Sequence, residues 1–344
     1  MAVQELPTVN SVGLTRQEYQ GNPSTLCSGC GHNTISAAIV ATAYEIALRP
    51  TQVIKMSGIG CSSKTPAYFL NGAHGFNGLH GRMPSAATGA LLANHTLKAI
   101  GISGDGDTGS IGLGQFKHLI RRNVPMVYIV ENNGVYGLTK GQFSATADLD
   151  QRLKYAGLNE LPPIDLCLEA LVADCGFVAR SFAGDRRQVE ALLKAALSHR
   201  GTAVIDIISP CVTFNDNDDS TKSYAWGRQH EEVVSEFSFI PTRTEITVDY
   251  PEGAAVDVDM PDGSVVRLRK LDNNYDPTDR YAAMRLIEDA HQKQEFITGL
   301  LYIDEKRQSL QEIEHLPGEP LAHLDEKTLR PSREALAKLM DGMK

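Results

Sequence analysis

Cys27 and Cys30, three positions apart in the stretch TLCSGCGHNT, are the first residues whose types and spacing suggest chemistry. A Cys-x-x-Cys pair can attach haem, form a redox disulfide, or supply half of a zinc or iron–sulfur site. Haem attachment requires a histidine directly after the second cysteine, whereas Gly31 separates Cys30 from His32. A zinc ribbon requires a second such pair, which the sequence lacks. A redox pair stays open, because a helix predicted to start near His32 would lower a thiol pKa.

Two further cysteines each follow a predicted strand. Cys61 lies in SGIGCSSK and Cys211 in IISPCVTFN. The carboxyl ends of parallel strands share one edge of a sheet, so both thiols are expected at that edge. Four thiolates gathered there would suit a [4Fe–4S] cluster. Cys167 and Cys175 lie among apolar residues and are predicted to be buried packing residues.

A Gly-Asp-Gly turn follows another predicted strand, in GISGDGDTGSIGLGQF at residues 101–116. Its glycines would let the backbone approach a ligand, and a helix is predicted to start near Thr108. This arrangement suits a diphosphate at a helix N-terminus, with a carboxylate holding its metal ion. An acidic turn without a ligand is the plainer alternative. A calcium loop fits poorly, since an EF-hand starting at Asp105 would have Phe116 in place of its bidentate glutamate.

An Asn-Asn pair follows the Gly-Asp-Gly turn after 25 residues, in ENNGVYGLTKGQF. With this spacing the sequence resembles the thiamine-diphosphate-binding domains. The resemblance implies a Mg²⁺ site formed by Asp105, the side-chain oxygen of Asn133 and the backbone carbonyl of Val135. Oxygen ligands of this kind are those that Mg²⁺ prefers.

Over residues 27–211 the chain resembles a narrower family, the β subunits of 2-oxoacid:ferredoxin oxidoreductases, and among them the 2-oxoglutarate type. The matching segments, in order, are CSGCGH, GIGCSS, HGRMPSAATGALLAN, GDGDTGSIG, RRNVPMVYIVENNGVYGLTKGQ and SPC. The later segments YDPTDR and FITGLLYID are also similar to that family. The resemblance implies that one [4Fe–4S] cluster is ligated by Cys27, Cys30, Cys61 and Cys211. It implies thiamine diphosphate contacts from Ile59, Gly60, Cys61, Ser62, His80, Gly106, Asp107, Gly137 and Leu138. For His80, a hydrogen bond to the backbone alone is the plainer alternative.

The resemblance also implies a reaction and partners. The expected reaction is oxidative decarboxylation of a 2-oxo acid to an acyl-CoA, with electrons passing through the cluster to ferredoxin. Thiamine enzymes activate the cofactor with a carboxylate from a second domain, and the sequence contains only one such domain. The glutamate is therefore expected from an α subunit, in an (αβ)₂ assembly. The working direction of the reaction stays open.

Two lysines beside the cofactor loops, Lys64 and Lys140, are candidates for binding a substrate carboxylate, with solvated lysines as the plainer alternative. In the family that the sequence resembles, many pyruvate-using members carry glycine at the position of Lys140, so the resemblance implies that a lysine there favours 2-oxoglutarate. A pyruvate-specific or broad-specificity member of the family is the first alternative. A thiamine-dependent decarboxylase or carboligase without electron transfer, and a non-catalytic metal-binding scaffold, are the others.

The elements that must position these residues indicate an α/β fold with a mostly parallel sheet. The predicted strands are VIKMSG (53–58), KAIGISG (98–104), PMVYIVE (125–131), GFVARSF (176–182) and TAVIDIIS (202–209). A helix capped by Asp185 and ended by Gly201 is predicted between the last two. We divide the chain into an N-terminal arm (1–26), a thiamine-diphosphate-binding domain (27–214) and a partner-contacting C-terminal extension (215–344). The extension should contain strands at TEITVDY, a hairpin around a Pro-Asp-Gly turn, and a helix at 278–294.

Composition narrows the class of protein. The 344 residues carry a formal net charge of −9, which argues against a general nucleic-acid binder. Neither an apolar run long enough to span a membrane nor a signal-peptide pattern occurs, so a cytoplasmic protein is expected.

Overall fold

A central sheet of eight strands organises the chain in the computed structural model, which describes residues 9–217, 220–240, 255–259, 265–270, 275–293 and 295–343. Its strand order is β11-β15-β9-β10-β4-β3-β1-β2. The bounds are β1 Val53–Ser57, β2 His74–Asn77, β3 Lys98–Gly104, β4 Met126–Asn132, β9 Phe177–Phe182, β10 Ala203–Ile208, β11 Glu231–Val233 and β15 Phe296–Ile303. Neighbouring strands from β2 to β9 are parallel, and β15 pairs antiparallel with β9. The predicted α/β fold with a mostly parallel sheet is confirmed.

The five predicted strands are all present, and each observed strand begins and ends within one residue of its predicted bounds. Their residues are buried almost without interruption, as expected for parallel strands covered on both faces. Shorter antiparallel pairs lie outside the main sheet: β5 Val135–Tyr136 with β6 Gln142–Phe143, and β7 Arg152–Leu153 with β8 Gly157–Leu158.

Helices cover both faces of the sheet. Their bounds are α1 Gly31–Glu45, α2 Met83–Ala93, α3 Leu113–Arg121, α4 Leu166–Val172, α5 Arg186–Ser198, α6 Tyr224–His230, α7 Arg280–Lys293, α8 Leu310–Ile313, α9 Glu326–Leu329 and α10 Arg333–Asp341. The predicted cap of α5 is confirmed, because the Asp185 carboxylate accepts a hydrogen bond from the backbone N–H of Gln188. The predicted end at Gly201 is wrong: the helix ends at Ser198, and His199 is its C-cap residue.

Alternate residues of the buried central strands belong to different halves of the core. Ile129 of β4 packs on the face covered by α1 and α5, where Ile35 and Leu192 are also buried. Its neighbour Tyr128 packs on the opposite face, together with Phe116 of α3. Burying side chains of this size contributes about 1.5–3 kcal/mol each, so the two packed faces fix the sheet between its helices.

The C-terminal part of the chain contributes to the main sheet. Strand β15 pairs with β9, and β11 pairs parallel with β15, so two strands beyond residue 214 extend the sheet. The predicted hairpin is present as β13 Ala255–Asp259 paired antiparallel with β14 Val265–Lys270, which also pairs with β12 Ser235–Ile240. Helix α7 confirms the predicted helix. The Pro-Asp-Gly turn and the predicted strand at 244–250 lie outside the described residues, and the division into three segments stays a prediction. Among the described residues, no helix has the length and apolar character needed to cross a bilayer.

Candidate functional site

The Gly-Asp-Gly turn lies where β3 ends at the carboxyl edge of the sheet. Asp105 is the N-cap residue of a π-helical turn, Gly106–Ile111, so the helical backbone starts two residues before the predicted Thr108. A Cβ on Gly106 would lie 2.5 Å from the ring of Tyr136, whose hydroxyl donates to the Gly106 carbonyl at 3.0 Å. Glycine is therefore required, because the loop after β4 passes directly over this turn.

The Asp105 carboxylate is buried and held by several donors. It accepts hydrogen bonds from the backbone N–H groups of Asn133 (3.2 Å) and Gly134 (3.1 Å). The hydroxyls of Thr146 (2.7 Å) and Ser144 donate to the same group. These bonds fasten the turn after β3 to the loop after β4, and they fix the position of an anionic oxygen pair in the site.

The loop after β4 is fixed in turn by the segment that follows Cys211. The Asn133 side-chain oxygen accepts from the N–H of Val135 at 3.0 Å, which is an Asx turn. The Asn133 carbonyl accepts from the side chain of Asn215 at 2.7 Å. Asn215 also forms a β-bridge with Cys211, so the predicted metal loop and a predicted cluster ligand are structurally joined.

One cleft at this edge contains nearly all of the predicted cofactor residues. The predicted residues that line it are Ile59, Gly60, Cys61, Ser62, His80, Asp105, Gly106, Asn133, Val135, Gly137 and Leu138. Asp107 is not among the lining residues, because its carboxylate is buried beneath the loop that carries His80. It accepts from Ser103 (2.8 Å) and from the N–H of Gly81 (2.9 Å), and it pairs with Nδ1 of His80 at 2.5 Å.

The four predicted cluster cysteines lie on three segments, and two of these cysteines, Cys61 and Cys211, lie beside Gly137. A Cβ built on Gly137 would lie 3.5 Å from the sulfur of Cys61 and 3.7 Å from that of Cys211. Cys30 is the buried N-cap residue of α1, and the exposed Cys27 accepts a hydrogen bond from the hydroxyl of Thr213 at 3.3 Å. Within the part of the chain that the structure describes, no three His, Cys, Asp or Glu side chains are arranged at metal-binding spacing.

The electrostatics of the thiols favour their neutral form in the absence of a cation. Burial raises the pKa of Cys30 to about 12, and repulsion by Glu131, Cys211 and Cys61 adds to this effect. Burial also raises the pKa of Cys61, helped by Cys211 and opposed by Lys64. Only the thiolate binds metal, so a positively charged metal group is what would offset this cost. Cys167 and Cys175 are fully buried in the core, as predicted.

The two candidate substrate lysines flank this region. Lys64 is half-buried, and its N–H donates to the carbonyl of Cys61 at 3.2 Å. Lys140 is exposed, and its N–H donates to the carbonyl of Gly137 at 3.1 Å. Its backbone has a φ of +77°, in the left-handed region that favours glycine.

Two cleft residues, His32 and Glu131, are absent from the predicted set. Both are buried, and burial raises the pKa of the Glu131 carboxyl well above its usual range. The sequence offers one signal for Glu131, a single carboxylate inside the apolar run MVYIVE.

Two family descriptions match the chain. Residues 58–207 match "Thiamine pyrophosphate enzyme, C-terminal TPP binding domain", and residues 266–316 match the C-terminal part of the pyruvate ferredoxin oxidoreductase beta subunit. The first segment includes the loops after β1, β3 and β4, which form the cleft.

Several curated proteins are similar to a little more than half of the chain. The β subunit of 2-oxoacid:ferredoxin oxidoreductase 1 from Aeropyrum pernix is 44% identical over 197 residues, which are 56% of this chain and 60% of that protein. The 2-oxoglutarate oxidoreductase subunit KorB of Mycobacterium tuberculosis is 40% identical over 191 residues, 55% of this chain and 51% of that protein. The 2-oxoglutarate synthase subunit KorB of Methanocaldococcus jannaschii is 33% identical over 193 residues, 56% of this chain and 71% of that protein. The matched part thus spans little more than half of the first two relatives and over two-thirds of the third.

A solved structure extends the similarity to the whole chain. The 2-oxoglutarate:ferredoxin oxidoreductase from Magnetococcus marinus, with 2-oxoglutarate, coenzyme A and succinyl-CoA bound, has 27% sequence identity and a TM-score of 0.73. The superposition covers 100% of both chains. By sequence, by fold and by the placement of its motifs, the chain belongs to the family of 2-oxoacid:ferredoxin oxidoreductase β subunits.

Proposed function

We propose that the chain is the β subunit of a CoA-dependent 2-oxoacid:ferredoxin oxidoreductase whose substrate is 2-oxoglutarate. The observation that carries the proposal is the position of Cys61. Its segment lines the cleft that contains the predicted cofactor residues, and its sulfur neighbours that of Cys211 across Gly137. A cofactor held by the cleft and a cluster held by the thiols would therefore share one wall, as direct electron transfer requires.

The residues of the cleft suit both the Mg²⁺ ion and the diphosphate group of a thiamine diphosphate cofactor. Asp105, Asn133 and the carbonyl of Val135 supply oxygen ligands for Mg²⁺. The glycine-rich turn after β3 leads into the helical turn Gly106–Ile111, whose first backbone N–H groups would bind a phosphate. His80 stands at the rim and is oriented by Asp107, so its role is to contact the cofactor from a fixed position.

The four cysteines suit an iron–sulfur cluster better than a structural zinc ion. They lie beside the proposed cofactor site, where a cluster could accept electrons, and they are not part of a separate zinc-binding module. When bound, thiamine diphosphate supplies the carbanion chemistry that decarboxylates 2-oxo acids, and a [4Fe–4S] cluster accepts single electrons. The protein's task is to hold the two sites together and to supply thiolates. We propose that an α subunit supplies the activating glutamate, in an (αβ)₂ assembly that reduces ferredoxin.

The substrate assignment depends on Lys140. A non-glycine residue at φ +77° is strained, and such strain tends to persist where a side chain has a function. The lysine ammonium would bind the distal carboxylate of 2-oxoglutarate, which pyruvate lacks, and Lys64 is the second candidate for this role. Support comes from the relatives, since the M. tuberculosis and M. jannaschii proteins and the M. marinus structure are all named for 2-oxoglutarate.

The test is ferredoxin reduction by the chain co-expressed with its α subunit and loaded anaerobically with thiamine diphosphate, Mg²⁺, iron and sulfide. We expect reduction that requires both 2-oxoglutarate and coenzyme A and is slower with pyruvate. Cys61→Ser should abolish it, whereas the matched control Cys175→Ala, in the core, should not. Equal kcat/KM for pyruvate would contradict the substrate assignment. Carbon dioxide release without ferredoxin reduction would instead favour a non-redox decarboxylase.

A further inference from the structure

Four buried polar side chains form a connected group between the cleft and the thiols. We call Glu131, Thr65, His32 and Ser209 the Glu131 cluster; none is more than 1% exposed. The Thr65 hydroxyl donates to Oε2 of Glu131 at 2.9 Å. Nδ1 of His32 lies 3.6 Å from the same oxygen and is hydrogen-bonded to the hydroxyl of Ser209 at 2.6 Å. Two hydrogen bonds, Thr65–Glu131 and His32–Ser209, therefore lie end to end, with a 3.6 Å contact between Glu131 and His32 joining them.

Three members of the Glu131 cluster each lie on a segment that carries a cysteine. Thr65 is in the 3₁₀ helix Ser62–Tyr68 that follows Cys61, and His32 is in the first turn of α1, which Cys30 caps. Ser209 lies two residues before Cys211. The hub, Glu131, lies near the end of β4, two residues before Asn133.

The backbone strengthens one of these links. The N–H of Gly31 donates to the carbonyl of Pro210 at 3.2 Å, and a Cβ on Gly31 would lie 2.9 Å from the backbone of Ser209. The Cys30 and Cys211 segments are thus already in direct contact.

The Cys61 segment is joined to the other two by two sets of hydrogen bonds. Thr25, two residues before Cys27, bonds the hydroxyl of Tyr68 through its N–H (3.1 Å) and its own hydroxyl (2.8 Å). The bond between Thr65 and Glu131 is the fully buried connection.

One oxygen of the Glu131 side chain is buried without a hydrogen bond, within the described residues, to offset the loss of its contact with water. Its Oε1 is buried and has no hydrogen-bond partner among the residues that the structure describes. An uncompensated buried oxygen destabilises a fold, so packing alone would favour an apolar residue at this position. The presence of Glu131 is explained if its other oxygen, Oε2, has the function of joining the segments that carry the thiols.

We infer that Glu131 is a positioning residue: through Thr65 and His32 it keeps the three cysteine segments close together, so that a [4Fe–4S] cluster can bind all four thiolates. The inference rests on the proposed function, because it assigns the thiols to a cluster. Groups that orient metal ligands from behind commonly change metal affinity about 10- to 100-fold when they are replaced.

Two substitutions break the link and two serve as controls. Thr65→Val and Glu131→Leu remove the hydrogen bond while nearly preserving volume. Glu131→Gln keeps an oxygen that accepts from Thr65 and should rescue the site. Thr202→Val is the matched control, because Thr202 is also fully buried and donates its hydroxyl to the carbonyl of Val124 at 2.7 Å, away from the cysteines.

The experiment uses the full chain with its α subunit, reconstituted with iron and sulfide, and measures iron release to a chelator together with the electron paramagnetic resonance spectrum of the reduced cluster. Thr65→Val and Glu131→Leu should release iron about tenfold faster than the wild type and shift the spectrum. Glu131→Gln and Thr202→Val should behave like the wild type.

Iron release that is equally fast in Thr65→Val and Thr202→Val would mean a general loss of stability and would overturn the inference. So would wild-type iron retention in both Thr65→Val and Glu131→Leu. The wild-type chain itself tests the proposed function: if it takes up no iron, both the function and the inference are wrong. If the wild-type chain holds iron and the variants retain it equally well, the inference alone is wrong.

Discussion

At the scale of single residues, Lys140 combines an unfavourable backbone with the role that we propose in substrate binding. Its left-handed φ of +77° is one that glycine adopts freely, and its N–H bonds the carbonyl of Gly137 beside the thiols. A substitution by glycine therefore changes charge without imposing a new backbone shape.

Lys140→Gly should lower kcat/KM for 2-oxoglutarate about 10- to 150-fold, which corresponds to a lost charge-assisted hydrogen bond of roughly 1.5–3 kcal/mol. The value for pyruvate should hardly change, and the free energy of unfolding should stay within about 1 kcal/mol. Steady-state kinetics of the αβ complex measures both. Ala47→Gly is the control, since Ala47 also has a positive φ (+52°) but follows the end of α1 that is far from Cys30. Equal losses with the two substrates would refute the role of Lys140.

Asp105 gives a second residue-scale prediction. Asp105→Asn removes a charge from the proposed Mg²⁺ site and turns an amide donor toward the N–H groups of Asn133 and Gly134. Affinity for thiamine diphosphate with Mg²⁺ should fall about 100-fold, as measured by titration calorimetry. Asp148→Asn is the control, because Asp148 pairs with Lys222 outside the cleft lining. Unchanged affinity in Asp105→Asn would show that the metal binds elsewhere.

The buried His199 predicts how stability depends on pH. Burial lowers its pKa to about 4, with Asp304 acting in the opposite direction and Arg200 in the same direction. The unfolded chain takes up this proton near pH 6.5, so the stabilisation is complete above that pH and is lost as the pH falls toward 4. The loss amounts to roughly 3 kcal/mol.

His199→Leu should therefore flatten the fall in unfolding free energy between pH 6.5 and 4, as measured by denaturant titration. The fall should not vanish, because burial lowers the pKa of His32 to about 4 as well. Substitution of the exposed His323 by Leu is the control. An identical acid profile in His199→Leu and the wild type would contradict the assignment.

At the scale of elements, the accuracy of sequence-based prediction follows the range of the interactions involved. Strand β3 and the cap of α5 depend on local patterns, and both occur as predicted. The pairing of β15 with β9 joins residues more than a hundred positions apart and leaves no local trace. The Glu131 cluster was missed for the same reason, since its four members come from four different segments.

Strand β15 contains an irregularity that can be tested. Gly299 has a φ of +113°, next to a register shift between Leu300 and Tyr302. Gly299→Ala should lower the free energy of unfolding by about 1–3 kcal/mol, because alanine is strained in that conformation. Gly89→Ala, in α2 with open space around its Cβ position, should raise it by up to about 1 kcal/mol. Denaturant unfolding measures both; a neutral Gly299→Ala would mean that the bulge is not a fixed feature.

At the scale of the whole molecule, the predicted cofactor residues come together because they all lie in loops at one edge of a parallel sheet. Cys61, Asp105 and Asn133 follow three adjacent strands, so topology alone makes them neighbours. The exception is Asp107, which is buried under the loop that carries His80. This burial depends on packing between two loops, which the spacing of motifs along the sequence does not reveal.

The relation to partners also belongs to this scale. The proposed α subunit makes the isolated chain incomplete, so reconstituted β chains alone should not decarboxylate 2-oxoglutarate, and added α subunit should restore the reaction. Carbon dioxide release from labelled substrate measures this. Full activity of the β chain alone would contradict the need for an activating carboxylate from a partner.

The central claim, that a thiamine site and an iron–sulfur cluster share one wall of this chain, is tested most directly by one anaerobic preparation of the αβ complex. Iron and acid-labile sulfide are determined, and electron paramagnetic resonance spectra are recorded before and after addition of 2-oxoglutarate. We expect about four irons per β chain and a cluster or radical signal that appears with substrate. Zinc in place of iron, or a cluster that stays silent to 2-oxoglutarate and to every other 2-oxo acid tried, would contradict it.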